Sequence, residues 1–397
     1  MSITEILGSI FANIGHINKP EIKFFTEIFN LLFSMQGRVN FENLSRFSSY
    51  NECTFRRRFE KFFDWLKFNQ TLITLAQVGT QGEVIAALDC SFIPKSGNKT
   101  FGVDKFWSGA ASRTLKGLEI SLLALIDVKT ATAWSLDVTQ TPPKLNAGKS
   151  GKYTRIDFFI EQLMDCDRYL QNVKYIVADS FYAKTKVFDH VTKQKKHLIT
   201  KLRADADLQF KFEGEHPVRK GAKTKYGGKA VYNNLSEWHL HGKDEKYDYL
   251  NIYYRICYSP QFKRWLTVVL VINSETKKYA VLATTDTNQN AQQVLTYYQL
   301  RFQIEFLFRD AKQFTGLLHC QSRDEQKLDF HFNLSLAAVN VVQLLRIKNS
   351  AVKSMNSLVR SLYNTRLINF LLDQLNLNNE FDIFHPAVQK VIKLGAM

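Results

Sequence analysis

The sequence predicts an α/β fold in which a mixed-sheet core carries a β-rich insertion and is flanked by helical segments. Short apolar runs alternate with amphipathic stretches between residues 84 and 204, which is typical of strands and helices that share one core. Residues 205–285 are instead rich in β-branched and aromatic residues, as strands are. Residues 1–83 and 319–397 place apolar residues at helical spacing. The core therefore takes residues 84–204 and 286–318.

The N-terminal region predicts two short helices around a polar break at residues 48–51, which is typical of a helix-turn-helix. The predicted helices are residues 21–35, 41–47 and 52–68. The last of them joins a basic cluster, Arg56, Arg57, Arg58 and Lys61, to an apolar stripe, Phe55, Phe59, Phe62 and Leu66. We expect this helix to contact DNA; the alternative is a helical bundle whose basic face only aids solubility.

Two acidic residues of the core follow strand-like runs. Residues 84–88 form an apolar run that ends at Asp89, and residues 175–178 form another that ends at Asp179. The other core elements are predicted as a hairpin of residues 118–127 and 131–139, a helix over 154–170, a helix from Thr185 and a strand over 197–202. Sheets with helices on their faces bind ligands at the carboxyl ends of their strands, so the two aspartates are expected to converge.

Residues 297–313 predict one continuous helix with polar side chains along one face. Tyr298, Arg301, Glu305 and Lys312 fall at the spacing Y-x2-R-x3-E-x6-K, and steps of three, four and seven residues return to nearly the same face of a helix. The opposite face is expected to anchor the helix in the core through Leu300, Phe302, Ile304, Phe306 and Phe308. The alternative is an amphipathic helix with a solvated polar stripe.

This spacing resembles that of the YREK-bearing DDE transposases, the insertion-sequence type 4 family, and the resemblance covers residues 84–318. It implies a ribonuclease H-like core with a β-strand insertion before the helix of Glu305. It also implies that Asp89, Asp179 and Glu305 are catalytic, and that the other three residues of the spacing grip phosphates near the cleaved DNA end. The chain departs from the family after Asp179, where Ser-Phe-Tyr follows without an arginine and leaves Tyr182 and Lys184 as possible substitutes.

Three converging carboxylates repel one another, and such a cluster is stable mainly when cations fill it. Asp89, Asp179 and Glu305 are therefore expected to hold two Mg²⁺ ions, for which Mn²⁺ can substitute, about 3.5–4 Å apart. The five cysteines include no pair at zinc-site spacing. Other acids, Glu119, Asp127, Asp137 and Asp310, are expected to be structural.

The charge of the chain favours a polyanionic partner. There are 53 Lys and Arg against 37 Asp and Glu, a net charge of +16, although ribosomal and RNA-binding proteins share this property. The loop 94–113 follows Asp89 directly and carries Lys105 and Trp107, which we expect to contact DNA. A second basic loop, residues 144–152, is expected not to.

The insertion contains predicted strands over residues 231–238, 249–258 and 265–272, after a basic, glycine-rich stretch at 213–229. By resemblance to the family, Trp238 or Trp265 could stack on an extruded base, and we assign Trp265 to DNA binding. A buried core aromatic is the alternative for each of them.

Taken together, the sequence predicts a transposase that binds the terminal inverted repeats of an insertion sequence and performs metal-dependent strand cleavage and strand transfer on double-stranded DNA. The alternatives are a domesticated DNA-binding protein that no longer cuts and a structure-specific nuclease of the same fold. Helices at residues 330–345 and 358–375 leave room for dimerisation, and a homodimer is expected in the active complex. Unpaired cysteines fit a reducing cytoplasm, and no segment predicts a membrane span.

Overall fold

The computed structural model describes residues 2–15, 17–145, 153–215, 223–350, 352–377 and 382–396. Most of the basic loop 144–152 and part of the stretch 213–229 lie outside the described residues. Twelve α-helices fall within the described part of the chain: α1 (Ile3–Ile14), α2 (Lys19–Ser34), α3 (Phe41–Arg46), α4 (Glu52–Arg58), α5 (Trp65–Leu75), α6 (Arg155–Asp165), α7 (Thr185–Lys193), α8 (Ala291–Leu300), α9 (Gln303–Phe314), α10 (Glu325–Lys348), α11 (Met355–Gln374) and α12 (Pro386–Ile392).

The described strands all belong to one sheet. They are β1 (Val84–Pro94), β2 (Asp104–Ser108), β3 (Arg113–Asp127), β4 (Thr132–Gln140), β5 (Tyr175–Ala178), β6 (His197–Leu202), β7 (Gln209–Lys211), β8 (Tyr226–Lys229), β9 (His239–Lys243), β10 (Leu250–Ser259), β11 (Arg264–Asn273) and β12 (Tyr279–Thr284). The main path runs β2-β3-β1-β5-β6-β12-β11-β10-β7-β8, with β4 paired to β3 and β9 to β10.

The sheet is mixed, as predicted. The hairpin of β3 and β4 is antiparallel, and β3 pairs antiparallel with β1. Strands β1, β5 and β6 are parallel to one another, with α6 and α7 in the connections. The insertion continues this same sheet, because β12 pairs antiparallel with β6. The order and type of the core elements agree with a ribonuclease H-like transposase core.

Helix α10 is the central helix of the molecule. Asn340 ties it to β4, because its side chain accepts a hydrogen bond from Ser135 N at 2.9 Å and donates one to Ser135 O at 2.7 Å. It is the one helix in the described ranges that is long and apolar enough to cross a membrane, but 89% of its apolar window is buried inside the protein. Its apolar composition is therefore explained by its place in the protein core.

Three local predictions were wrong. The helix predicted over residues 52–68 is interrupted, since α4 ends at Arg58 and α5 starts anew at Trp65, with Asp64 accepting a hydrogen bond from Lys67 N at 2.8 Å as its cap. Phe62 lies in this break and is 92% exposed, so it belongs to no apolar stripe. The predicted strand over 231–238 consists of turns and a short 3₁₀ helix, Leu235–Glu237. Helix α1 was not predicted.

Candidate active site

Asp89 and Asp179 are neighbours because of the register of two parallel strands. Strands β1 and β5 pair through Ala86 and Ile176 up to Leu88 and Ala178, and each aspartate is the next residue of its strand. The prediction that Asp89 ends its strand needs one correction, since β1 continues to Pro94 in its pairing with β3. The parallel pairing alone stops at the aspartates. The two aspartates therefore lie side by side where the parallel pairing ends, as predicted from the position of ligand sites at the carboxyl ends of strands.

The backbone around Asp179 is fixed by neighbouring side chains. The buried hydroxyl of Thr200 on β6 donates a 2.8 Å hydrogen bond to the Asp179 carbonyl. The Asp179 carboxylate accepts a hydrogen bond from Phe181 N at 2.9 Å and so caps the 3₁₀ turn Ser180–Tyr182. The hydroxyl of Tyr182 lies 3.2 Å from Cys90 Sγ, which links this turn to the residue after Asp89. Both aspartates are thus held by rigid, buried elements.

Glu305 comes from a junction between two helices, which corrects the prediction of one continuous helix over 297–313. Helix α8 ends at Leu300 and α9 begins at Gln303, with a turn at Arg301 and Phe302 between them. Glu305 lies in the first turn of α9 with half of its side chain exposed. The apolar face was also predicted partly wrongly: Ile304 and Phe308 are buried, together with Leu307 and Ala311, whereas Phe302 and Phe306 are exposed.

Arg301 lies among the acids rather than at the surface. Its Nη1 donates a hydrogen bond of 2.6 Å to Asp89 Oδ2, and its Nη2 lies 3.7 Å from Glu305 Oε1. The Arg301 side chain is only 9% exposed. Its guanidinium group therefore connects the strand that carries Asp89 to the helix that carries Glu305. The sequence spacing predicted that Arg301 and Glu305 share a face, but not that Arg301 would contact Asp89.

The pKa of Asp89 reflects the crowding of the three acids. Burial is the main cause that raises the pKa of Asp89 to about 6, and the negative charges of Asp179 and Glu305 raise it further. Arg301 and a hydrogen bond from Cys90 N act in the opposite direction and lower this pKa. Carboxylates crowded in this way are the donors that hard divalent cations prefer, so the residue types fit a magnesium-type site. Among the described residues, however, no three acidic, His or Cys side chains already form a metal-ligand cluster.

The other two residues of the spacing lie nearby in sequence and are half-buried. Burial raises the pKa of the Tyr298 hydroxyl. The charge of Arg301 lowers this pKa, and the charge of Asp179 raises it. The Arg301 guanidinium lies 5.7 Å from the centre of the Tyr298 ring. Burial lowers the pKa of the Lys312 ammonium, whose nitrogen lies 5.9 Å from the Phe308 ring. Tyr298 therefore belongs to the cluster around Asp89, while Lys312 lies two turns beyond Glu305.

The predicted DNA contacts outside this cluster have different surroundings. On α4, Arg56 bonds Glu52, Arg58 lies 5.5 Å from the Phe24 ring and Arg57 is exposed. Lys61 was predicted on the same helix but lies in the break after α4, where it is exposed. Arg56 also lies over Phe41, 5.3 Å from the ring centre.

Lys105 and Trp107 project from β2, a strand at the end of the sheet path, and Trp107 is 57% exposed. Trp265 instead packs against Tyr226 and Tyr258, at 5.8 and 5.3 Å between ring centres. Trp238 is buried and donates a hydrogen bond to Val231 O, so it is a core residue. Lys184 is exposed and Tyr182 is buried.

The remaining acids have structural partners. Glu119 is buried and bonds Arg155 and the Thr141 hydroxyl. Asp127 accepts hydrogen bonds from Thr130 N and Gly79 N at a turn, which is the local role expected for it. Asp310 bonds Arg309, and Asp137 accepts a hydrogen bond from Gln162 at 2.8 Å.

Sequence reasoning missed the residues that position the acids. Thr200 lies inside a strand and looks like any β-branched residue, and no spacing connects it with Asp179. Cys90 has no predicted role in the sequence, although its sulfur contacts the Tyr182 hydroxyl. The only available signal was that Cys90 and Tyr182 are each within three residues of a predicted catalytic acid.

A mixed sheet whose adjacent parallel strands each lead into an aspartate, with a glutamate supplied by a later helix, defines a ribonuclease H-like transposase core. The family model of the transposase DDE domain matches residues 80–341. The chain belongs to this family, which implies a DNA-cutting and strand-transfer enzyme that binds DNA. DDE transposases generally use divalent metal ions. No curated protein matches the chain.

Proposed function

We propose that the chain is the transposase of an insertion sequence of the type 4 family. Asp89, Asp179 and Glu305 would be the catalytic residues with which it cuts and joins DNA. The observation that carries the proposal is the placement of Asp89 and Asp179 at the end of one parallel pairing, with Glu305 close enough to raise the pKa of Asp89. This combination within a transposase DDE domain supports catalytic roles for these acids.

The three carboxylates would hold two Mg²⁺ ions. When bound, such a pair of ions would activate the attacking oxygen and stabilise the leaving oxygen of an in-line phosphodiester displacement. The protein itself contributes the fixed position of Asp89 and Asp179, because strand pairing leaves them little freedom. Water would attack a phosphodiester first, and the freed 3′ hydroxyl group would attack phosphodiesters in the later steps.

The Y-x2-R-x3-E-x6-K spacing supports the assignment to the type 4 family. Tyr298, Arg301 and Lys312 would contact phosphates near the cleaved end. In the family this grip accompanies a hairpin intermediate on the transposon end, and we extend that intermediate to this chain by resemblance. Lys312 suits this role because it lies about 10 Å along the helix axis from Glu305, at 1.5 Å per residue.

DNA binding is proposed for three surfaces. The basic cluster of Arg56, Arg57 and Arg58 on α4, with Lys61 just after the helix, would bind the terminal inverted repeats, and binding there would weaken steeply with salt. Lys105 and Trp107 on β2 would contact DNA at a distance from Asp89, because their partners on β3 lie six and eight residues from Leu122, which pairs with Asp89. Trp265 is kept as a weaker candidate, since its ring already packs against Tyr226 and Tyr258.

The two tryptophans give a matched test of these surfaces. Trp107→Ala should weaken DNA binding by about 1–3 kcal/mol if a base stacks on the ring, and should leave the melting temperature unchanged. Trp265→Ala should lower the melting temperature instead, because it removes the contacts of this ring with Tyr226 and Tyr258. Mobility shifts and calorimetry on both variants separate the two roles. If Trp107→Ala binds DNA like wild type, β2 is not a DNA surface.

Cleavage of labelled end DNA tests the catalytic proposal. Asp89→Asn, Asp179→Asn and Glu305→Gln keep the side-chain shape and remove one charge each. Each variant should lose strand nicking and strand transfer in Mg²⁺ and still bind the end in a mobility shift. Any of the three that nicks at nearly the wild-type rate removes that residue from the site. Nicking without joining by the wild type would favour the nuclease alternative, and binding without nicking would favour the domesticated protein.

A further inference from the structure

The guanidinium group of Arg301 occupies the centre of the proposed acidic site. It donates a 2.6 Å hydrogen bond to Asp89 Oδ2 from one end nitrogen, and the other end nitrogen is 3.7 Å from Glu305 Oε1. Asp179 and Tyr298 also contribute to its electrostatic surroundings. Arg301 therefore supplies the positive charge around which the three acids are arranged in the DNA-free protein.

The guanidinium group is not fully bonded in this position. Its Nε atom is buried and has no hydrogen-bond partner within the described part of the chain. Its central carbon lies 5.7 Å from the centre of the Tyr298 ring and 5.2 Å from that of Phe302. A buried N–H group without a partner is unfavourable, so the arrangement leaves Arg301 with bonding capacity that a phosphate could use.

The backbone at Arg301 departs from regular α-helical hydrogen bonding. At the junction of α8 and α9, three hydrogen bonds span only three residues: Phe302 N to Gln299 O, Ile304 N to Arg301 O and Glu305 N to Phe302 O, at 3.0–3.1 Å. Such 3₁₀ bonding inside a helical stretch often marks a functional hinge. A small rotation there would shift Arg301 and Glu305 relative to the strand that carries Asp89.

We propose that Arg301 is an exchangeable counter-ion: a divalent metal ion and the Arg301 guanidinium compete for Asp89, and metal entry releases Arg301 towards a DNA phosphate. This inference rests on the proposed function, because it takes Asp89 and Glu305 as metal ligands. A metal ion on Asp89 Oδ2 and a guanidinium at 2.6 Å from the same oxygen would be two cations about 4 Å apart, which repel strongly in a buried site. The release would couple metal binding to the grip on DNA.

Binding of Mn²⁺ to the DNA-free protein tests the exchange. Electron paramagnetic resonance measures free Mn²⁺ during titration of the wild type, Arg301→Gln and Arg309→Gln. Arg309 is the matched control, because it is a nearby arginine on α9 that pairs with Asp310 at the surface. Because Arg301→Gln lacks the competing cation, this variant should bind Mn²⁺ about tenfold more tightly than the wild type, or more tightly still. The Arg309→Gln variant should bind Mn²⁺ like the wild type.

Equal or weaker Mn²⁺ binding by Arg301→Gln overturns the exchange. If Arg301→Gln does not fold, the ¹⁵Nε resonance of Arg301 in the wild type provides the test. The Arg301→Lys variant assigns this resonance, because the resonance is missing from its spectrum. Addition of Mg²⁺ should shift this resonance, and an unshifted resonance at Mg²⁺ concentrations that saturate cleavage contradicts the proposal.

The nicking assay separates the two failures. If the wild type nicks end DNA through its three acids but Arg301→Gln gains no Mn²⁺ affinity, only the exchange fails. If neither protein binds Mn²⁺ and the wild type does not nick, the proposed function fails and the exchange fails with it.

Discussion

The candidate site is assembled from two regions that are held in different ways. Asp89 and Asp179 are placed by strand pairing, and the Thr200 hydroxyl and the Cys90–Tyr182 contact restrain the chain next to them. Glu305 and Arg301 lie at a junction between two helices, where short-range 3₁₀ hydrogen bonds replace the regular helix pattern. The first region leaves the carboxylates little freedom, and the second can adjust. A site of this kind can be rigid at its strands and still respond to DNA and metal at its helix.

Changing the length of the acidic side chains should show the difference between the two regions most clearly. Asp89→Glu and Asp179→Glu move a carboxylate by one methylene on a rigid strand, and a misplacement of about 1 Å can cost about 10²-fold in rate. Glu305→Asp retracts the carboxylate at the adjustable junction, where a loss nearer about tenfold is expected. Single-turnover nicking rates in Mg²⁺ measure all three. Equal losses in the three variants would mean that the junction is as rigid as the strands.

Removing the hydroxyl that holds Asp179 should have a smaller effect. Thr200→Val keeps the shape of a buried side chain but leaves the Asp179 carbonyl without this donor, which should cost about 1–3 kcal/mol in the free energy of unfolding. Thr71→Val is the control, because Thr71 is also buried but its hydroxyl bonds Lys67 O within helix α5, away from the acids of the site. Urea denaturation of both variants gives the difference. A Thr200→Val variant as stable as its control would remove Thr200 from the positioning of Asp179.

The pH dependence of folding should report on acids outside the site. Burial raises the pKa of Asp137 from 3.8 to about 6. The folded state then holds a proton that the unfolded state releases, so the stability that Asp137 contributes is present below about pH 4 and is lost as the pH rises towards 6.

The free energy of unfolding should therefore fall between about pH 4 and 6, with a contribution from Asp137 of order 1–3 kcal/mol. Asp329 acts in the same direction, since burial and the charge of Asp137 raise its pKa to about 6. Asp137→Asn should flatten the fall, and denaturant titrations at several pH values measure it. The same slope in Asp137→Asn and the wild type would contradict this assignment.

The sequence was sufficient where local pattern determines structure. The apolar runs before Asp89 and Asp179 predicted their strands, and the alternation of strands and helices predicted the mixed sheet. It failed where long-range contacts decide. Nothing local to Arg301 indicates a hydrogen bond to Asp89, 212 positions away in the chain. The break between α8 and α9 was missed because residues 297–313 contain no proline or glycine to mark it.

The N-terminal region illustrates the same limit. The basic cluster was visible in the sequence, but Phe62 was assigned to an apolar stripe because its spacing from Phe55 and Phe59 fits a helix. The chain instead leaves the helix after Arg58, and Asp64 caps a new one, so Phe62 points away from the core. Helix spacing alone cannot reveal where a cap interrupts a helix.

The most direct test of the central claim is X-ray diffraction at the manganese absorption edge from crystals of the protein bound to end DNA and soaked in Mn²⁺. The account predicts anomalous peaks at bonding distance from the carboxylates of Asp89, Asp179 and Glu305, with the Arg301 guanidinium moved off Asp89 onto a phosphate. No peak at these acids, or peaks at a different set of side chains, would contradict it.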